Sequence, residues 1–158
     1  MNGKRRCWEK VVLGLLVAVS LGGAASVVRA ESVGQAQAEP SLYTRLGGYD
    51  AIAAVVDDLV RRLAHDPKLG RFWANRGADG IRREKQLVIN FIVDRAGGPL
   101  TYTGRDMLTT HKGMKITGAD WNIFMGHLNE TLDKFKVPAR ERQDVIGFME
   151  SLKGTVID

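Results

Sequence analysis

Cysteine is almost absent: among 158 residues there is one, Cys7. It falls within the first thirty residues, and a chain cleaved after them would hold no thiol. Disulfides, thiolate metal ligands and thiol catalysis are therefore excluded for the mature part. No His-x-x-x-His or Cys pair is present, and zinc needs three or four clustered ligands. A nucleophile elbow, a phosphate-cradling glycine loop and a Ser/His/Asp arrangement are also lacking. No stretch alternates apolar and polar residues for long, which argues against strands. No internal repeat is visible. Charge of one sign is scarce outside the beginning of the chain. The net charge is +5, but Lys4, Arg5, Arg6, Lys10 and Arg29 face only Glu9 within residues 1–30. The remainder is close to neutral with mixed signs, so a nucleic-acid partner is not expected.

What is present begins with a basic start followed by Val11 to Val19, an apolar run short of the roughly 20 residues a membrane span needs. Small residues follow, and Val28-Arg29-Ala30 suits a signal peptidase. The expectation is a signal peptide over 1–30, cleaved after Ala30 or, as second choice, near Ala24-Ala25. An uncleaved N-terminal anchor is the alternative. Arg5-Arg6-Cys7-Trp8-Glu9-Lys10 partly resembles a twin-arginine motif, with Glu9 where that motif prefers an apolar residue. The expected location is periplasmic, with no stable membrane span once the signal is removed. Residues 31–40 show no apolar period and read as a flexible leader.

Residues 41–158 form the expected folded domain, and their periodicity is helical. Asp50 is placed to cap a helix carrying Ile52, Val55, Val56, Leu59, Val60 and Leu63 on one face. Asp66-Pro67 opens a short helical turn ending in Phe72-Trp73. Asp79 is placed to cap the next helix, with Ile81, Val88, Phe91 and Ile92 inward and Gly97-Gly98 stopping it. Asp106 to His111 leaves room for only a short helix. Thr117 and Asp120 form a capping-box pattern ahead of Trp121, Phe124, Met125, Leu128, Leu132 and Phe135. Pro138 opens a last helix bearing Val145, Phe148, Met149 and Leu152. The fold class is all-α, and about 120 residues can build one core.

Three histidines are present, His65, His111 and His127, and by residue type alone none is distinguished as a ligand. A single histidine beside large apolar surfaces does suit one ligation chemistry, because haem iron needs one strong protein ligand. The chain then becomes more specific. Leu42-Tyr43-Thr44-Arg45-Leu46-Gly47-Gly48, Gly97-Gly98-Pro99, Tyr102 to Met107, His111-Lys112-Gly113-Met114 and Asp133 to Pro138 stand in order. Together they resemble the bacterial truncated globins, nearest their group I branch, from Ser41 to the end.

That resemblance implies a two-over-two helical sandwich around one b-type haem (iron protoporphyrin IX). It makes His111 the metal ligand, its second ring nitrogen seeking a backbone acceptor. Trp73 is the expected aromatic wedge, with Phe72 as the alternative. Met107 would lie against the ring; Tyr102, Arg105 and Lys112 would meet the propionates. Trp121 and Phe124 match pocket-lining positions. The distal side departs from its relatives, which place a tyrosine on the second helix and a polar donor on the distal helix. Here Val60, Glu84, Leu87 and Val88 occupy those places; valine and leucine donate nothing, and a carboxylate only accepts. The indole N–H of Trp73 or Trp121 is the remaining candidate donor. His65 and His127 read as surface and core-boundary residues, and Lys85 as a poor sixth ligand. The implied function is reversible binding of a diatomic gas, oxygen or also nitric oxide, by a monomer with an unidentified redox partner. The alternatives are a haem enzyme, such as a nitric oxide dioxygenase or a peroxidase-like detoxifier, and a helical module without haem.

Overall fold

The computed structural model describes residues 38–158. The expected signal peptide and most of the leader lie outside the described residues. Those described contain helices and turns but no strand, as the apolar period predicts. A single turn, α1 (Leu42–Arg45), is capped by the Ser41 hydroxyl, which accepts from the Thr44 amide. It runs into α2 (Gly48–His65), followed by a 3₁₀ turn (Leu69–Phe72) and α3 (Ala78–Arg95). Then come the five-residue α4 (Met107–His111), α5 (Gly118–Lys134) and α6 (Ala139–Val156).

Two expected caps move. The residue before α2 is Gly47, in the left-handed region at φ +91°, and Asp50 lies inside the first turn. Gly77 stands before α3, and Asp79 again falls in the first turn. Both aspartates keep a use there, because negative charge is favourable near a helix N-terminus. The Thr117–Asp120 box forms in full: Thr117 accepts from the Asp120 amide, and the Asp120 carboxylate accepts from the Thr117 amide at 2.9 Å. Gly97 ends α3 at φ +79°. At Gly98 an added Cβ would come within 2.6 Å of both Val93 and Tyr43, so only glycine lets α1 lie against the end of α3.

α2 is the central element, with buried side chains in two clusters. Ile52, Val56 and Val60 pack with Ile89 and Val93 of α3. Leu59 and Leu63 pack with Leu69, with Leu128 and Leu132 of α5, and with Met149 of α6. The predicted stripe is thus split between two partners. Phe135 is a correction: it caps the end of α5 and is exposed instead of inward. Within α2 the carboxylate of Asp58 is also buried, at 3% exposure. It accepts hydrogen bonds from Lys134, Arg62 and Arg61. Chiefly because of Lys134, it is held well below the usual carboxylate range. No helix among the described residues is long and apolar enough to cross a membrane.

Candidate haem site

Between the clusters lies a cavity of about 440 Å³, within the size range of cofactor sites. All twelve candidate site residues line it. Val60 comes from α2, and Phe72 and Trp73 from the 3₁₀ turn and its end. Glu84, Leu87 and Val88 come from α3. Tyr102, Arg105, Met107 and His111 come from α4 and the loop before it, and Trp121 and Phe124 from α5. Lys112 is not in the wall and is exposed. A second cavity of about 390 Å³ adjoins the first, and Phe91, Tyr102, Met107 and Leu152 line both.

His111 is the last residue of α4. Its Nδ1 sits 2.8 Å from the carbonyl oxygen of Met107, one turn back. A carbonyl can only accept, so Nδ1 carries the proton in this hydrogen bond, and in the neutral ring the lone pair is on Nε2. Among the described residues no protein group takes that lone pair. No set of three His, Cys, Asp or Glu side chains there could hold a bare metal ion. α4 is capped by Asp106, whose carboxylate accepts from the Thr109 amide at 2.8 Å. The hydroxyl of Thr110 donates to the Asp106 carbonyl at 2.8 Å.

The turn opposite is held by charge. Asp66 accepts from the amides of Lys68 and Leu69 at 2.8 and 2.9 Å. It also meets His127 Nε2 at 2.9 Å, and chiefly for that reason its pKa is lowered to about 2. Arg71 reaches the buried Asp120 at 2.8 Å, the main cause of a pKa lowered to about 2 there. These pairs tie the ends of the turn bearing Phe72 and Trp73 to α5.

At the positions singled out on the distal side, Val60, Leu87 and Val88 offer no donor, but Arg83 and the Trp73 indole also line the cavity. Glu84 faces Arg76 Nη1 at 2.7 Å, off the hydrogen-bond direction, so the contact is an ion pair. The two indoles are not equivalent. Trp121 Nε1 reaches Glu150 at 3.4 Å, whereas Trp73 Nε1 is buried with no partner among the described residues. The other histidines stand apart from the cavity wall. His65 is exposed, its Nδ1 2.7 Å from the Arg61 carbonyl, and His127 is half-buried against Asp66. Lys85 pairs with Asp57. Sequence reasoning missed Arg76, Arg83, Met114 and Ile116 in the wall.

A cavity lined largely by apolar side chains, one imidazole whose Nε2 has no protein partner and the guanidiniums of Arg76, Arg83 and Arg105 fit an iron porphyrin with acidic edges. The arrangement is that of a small haem-binding globin.

Comparison with known proteins agrees. The bacterial-like globin family matches residues 41–158. The group 1 truncated haemoglobin GlbN of Mycolicibacterium paratuberculosis is 32% identical over 117 residues, covering 73% of this chain and 84% of that protein. Its namesake from Nostoc commune is 30% identical, covering 75% and 98%. In fold, the truncated haemoglobin of Tetrahymena pyriformis in its Fe(III) form matches with a TM-score of 0.68 at 22% identity. That match covers 75% of this chain and 98% of the other. This chain belongs to the group 1 truncated haemoglobins, two-over-two helical globins whose cofactor is b-type haem.

Proposed function

We propose that the mature protein is an exported truncated haemoglobin that binds a diatomic gas reversibly, oxygen and also nitric oxide, at haem held by His111. The observation that carries this is the Nδ1 contact to the Met107 carbonyl, which engages one ring nitrogen of His111 and leaves Nε2 without a protein partner in the wall of an apolar cavity. Haem supplies the iron at which the gas binds. The chain supplies the rest. Trp73 would wedge the ring, with Phe72 as the alternative, and Met107, Trp121 and Phe124 would pack against it. Tyr102 and Arg105 would be the partners of its propionates.

Val60, Leu87 and Val88 exclude water and offer no hydrogen bond to the gas, and Glu84 is engaged with Arg76. A tightly held oxygen needs a donor. With the tyrosine and polar distal-helix residue of the relatives both replaced, release is expected to be fast and oxidation to ferric haem rapid. Slow release would assign the donor role to the free Trp73 indole N–H. This distal wall favours binding or electron exchange over nitric oxide dioxygenation, which in the family relies on polar distal donors. The protein works as a monomer and receives electrons from a separate reductant. Residues 1–30 direct export, and 31–40 form a leader ahead of the globin domain at 41–158.

The deciding experiment is absorption spectroscopy of Glu31–Asp158 loaded with haem, in ferric, ferrous and carbon monoxide-bound forms, beside His111→Ala. A stoichiometric b-type spectrum lost or radically altered in His111→Ala is the expected result; a helical protein that takes up no haem overturns the reading. Oxygen release as slow as in tyrosine-bearing relatives would remove the distal argument alone. For export, residues 1–35 fused to a reporter that works only when exported folded should give signal; silence, with a Sec-dependent reporter silent too, overturns the targeting.

A further inference from the structure

The helix carrying His111 has five residues, none of them buried. A helix that short does not hold itself, since nucleation costs more than so few hydrogen bonds return. Its front is fixed by the Asp106 cap. What fixes its rear is less obvious, because the chain leaves it through a contorted loop. Lys112 donates to the Leu108 carbonyl at 2.9 Å and Met114 to the His111 carbonyl at 3.0 Å. Gly113 has φ +81° and Lys115 φ +56°. The left-handed region is unfavourable for a lysine, so some other contact has to maintain it.

That contact comes from Asp158, 47 positions after His111 and just beyond α6. Its carboxylate accepts from the Gly113 amide at 3.2 Å and from the Lys115 amide on its other oxygen. Its own amide donates to the Ile116 carbonyl at 3.1 Å. One residue thus makes three hydrogen bonds to the segment following His111, two of them charge-assisted. Met114 and Ile116, between and beside those anchor points, line the cavity together with Val156 of α6.

We propose that Asp158 is a positioning residue for His111. By taking both loop amides it fixes the end of α4 against α6, and with it the tilt of the imidazole. Asp106 and Asp158 then form a front and rear pair of carboxylates that hold a helix too short to hold itself. The inference rests on the reading of His111 as the iron ligand.

The test compares wild type, Asp158→Asn and Asp158→Ala as haem-loaded protein. Three quantities are read: the iron–histidine stretching band of the ferrous form, the rate of haem loss to an acceptor globin, and the thermal midpoint. Amide hydrogen exchange at Gly113 and Lys115 is followed in the haem-free protein. Asp158→Ala should broaden or shift the band, accelerate haem loss roughly tenfold, as loss of an outer-shell partner does, and release protection at both amides. Asp158→Asn keeps one acceptor oxygen and should fall between. An unchanged band and haem-loss rate in Asp158→Ala overturns the proposal, whether or not the thermal midpoint falls. A wild-type protein with no iron–histidine band dependent on His111 overturns the ligand reading itself, a result visible before any Asp158 variant is made.

Discussion

The two walls that face each other across the cavity are built on opposite plans. The wedge turn has a buried core residue, Leu69 at 4% exposure, and side-chain pairs that reach across to α5. The segment carrying His111 has no buried residue in its helix and is held by carboxylates on nearby backbone amides. One wall is part of the hydrophobic core and the other is attached to it. An aromatic wedge needs a rigid mount in the core. His111, the metal ligand under the proposed function, would need a defined angle, and the carboxylate–amide hydrogen bonds around α4 are directional.

The largest effect should come from removing the core mount. Leu69→Ala is expected to cost about 2–5 kcal/mol in the haem-free protein, the usual range for a buried leucine, measured by denaturant unfolding. If it costs under about 0.5 kcal/mol, a surface-like value, the wedge turn is not part of the core and the contrast fails.

Acid should act next. Asp66 and Asp120 both have folded-state pKa values near 2, lowered from 3.8 by His127 and Arg71 respectively. Carboxylates depressed on folding add stability that is complete above the unfolded value, near 4, and lost as pH falls through about 2. Thermal midpoints of wild type should therefore drop between pH 4 and pH 2. His127→Gln and Arg71→Gln return the folded-state value toward the unfolded one, so each variant should be less stable at neutral pH and its drop between pH 4 and pH 2 should be smaller than in wild type. A drop of undiminished size in both variants would mean that these pairs do not secure the turn.

Smaller still is the effect expected of Trp73→Phe on the haem-free protein. The indole N–H is buried without a partner, so deleting it leaves nothing unsatisfied and stability should stay within about 0.5 kcal/mol. A loss above about 1 kcal/mol would mean that the N–H is paired in the folded state. Least of all should be Leu108→Ala on α4. Its side chain is 57% exposed, and a change within about 0.5 kcal/mol is expected. A core-sized loss would bring the second wall into the first category.

Much of this was legible beforehand, for identifiable reasons. The helices follow from the apolar period of this chain, and the Thr117–Asp120 box is local enough to read in four residues. Asp50 and Asp79 were misplaced as caps because Gly47 and Gly77, which have no side chain to signal with, take those positions. All twelve candidate site residues do meet in one cavity, because the spacing of the resemblance carries three-dimensional information that periodicity lacks. What escaped was tertiary. Asp58 looks like a solvated residue until Lys134, 76 positions on, is placed against it. Arg76 and Glu84 meet only across the start of α3. Asp158 and Gly113 are 45 positions apart, and no local rule pairs them.

The brevity of α4 also bears on how the protein exchanges its cofactor with its surroundings. Regions that bury little open locally at free energies far below that of global unfolding. Lifting α4 away exposes no buried side chain of its own, whereas moving the wedge turn uncovers Leu69. If His111 holds the cofactor as proposed, its residence time would be governed by a local latch on one side, and the lifetime of the fold by the two clusters around α2. The two clocks can be set independently.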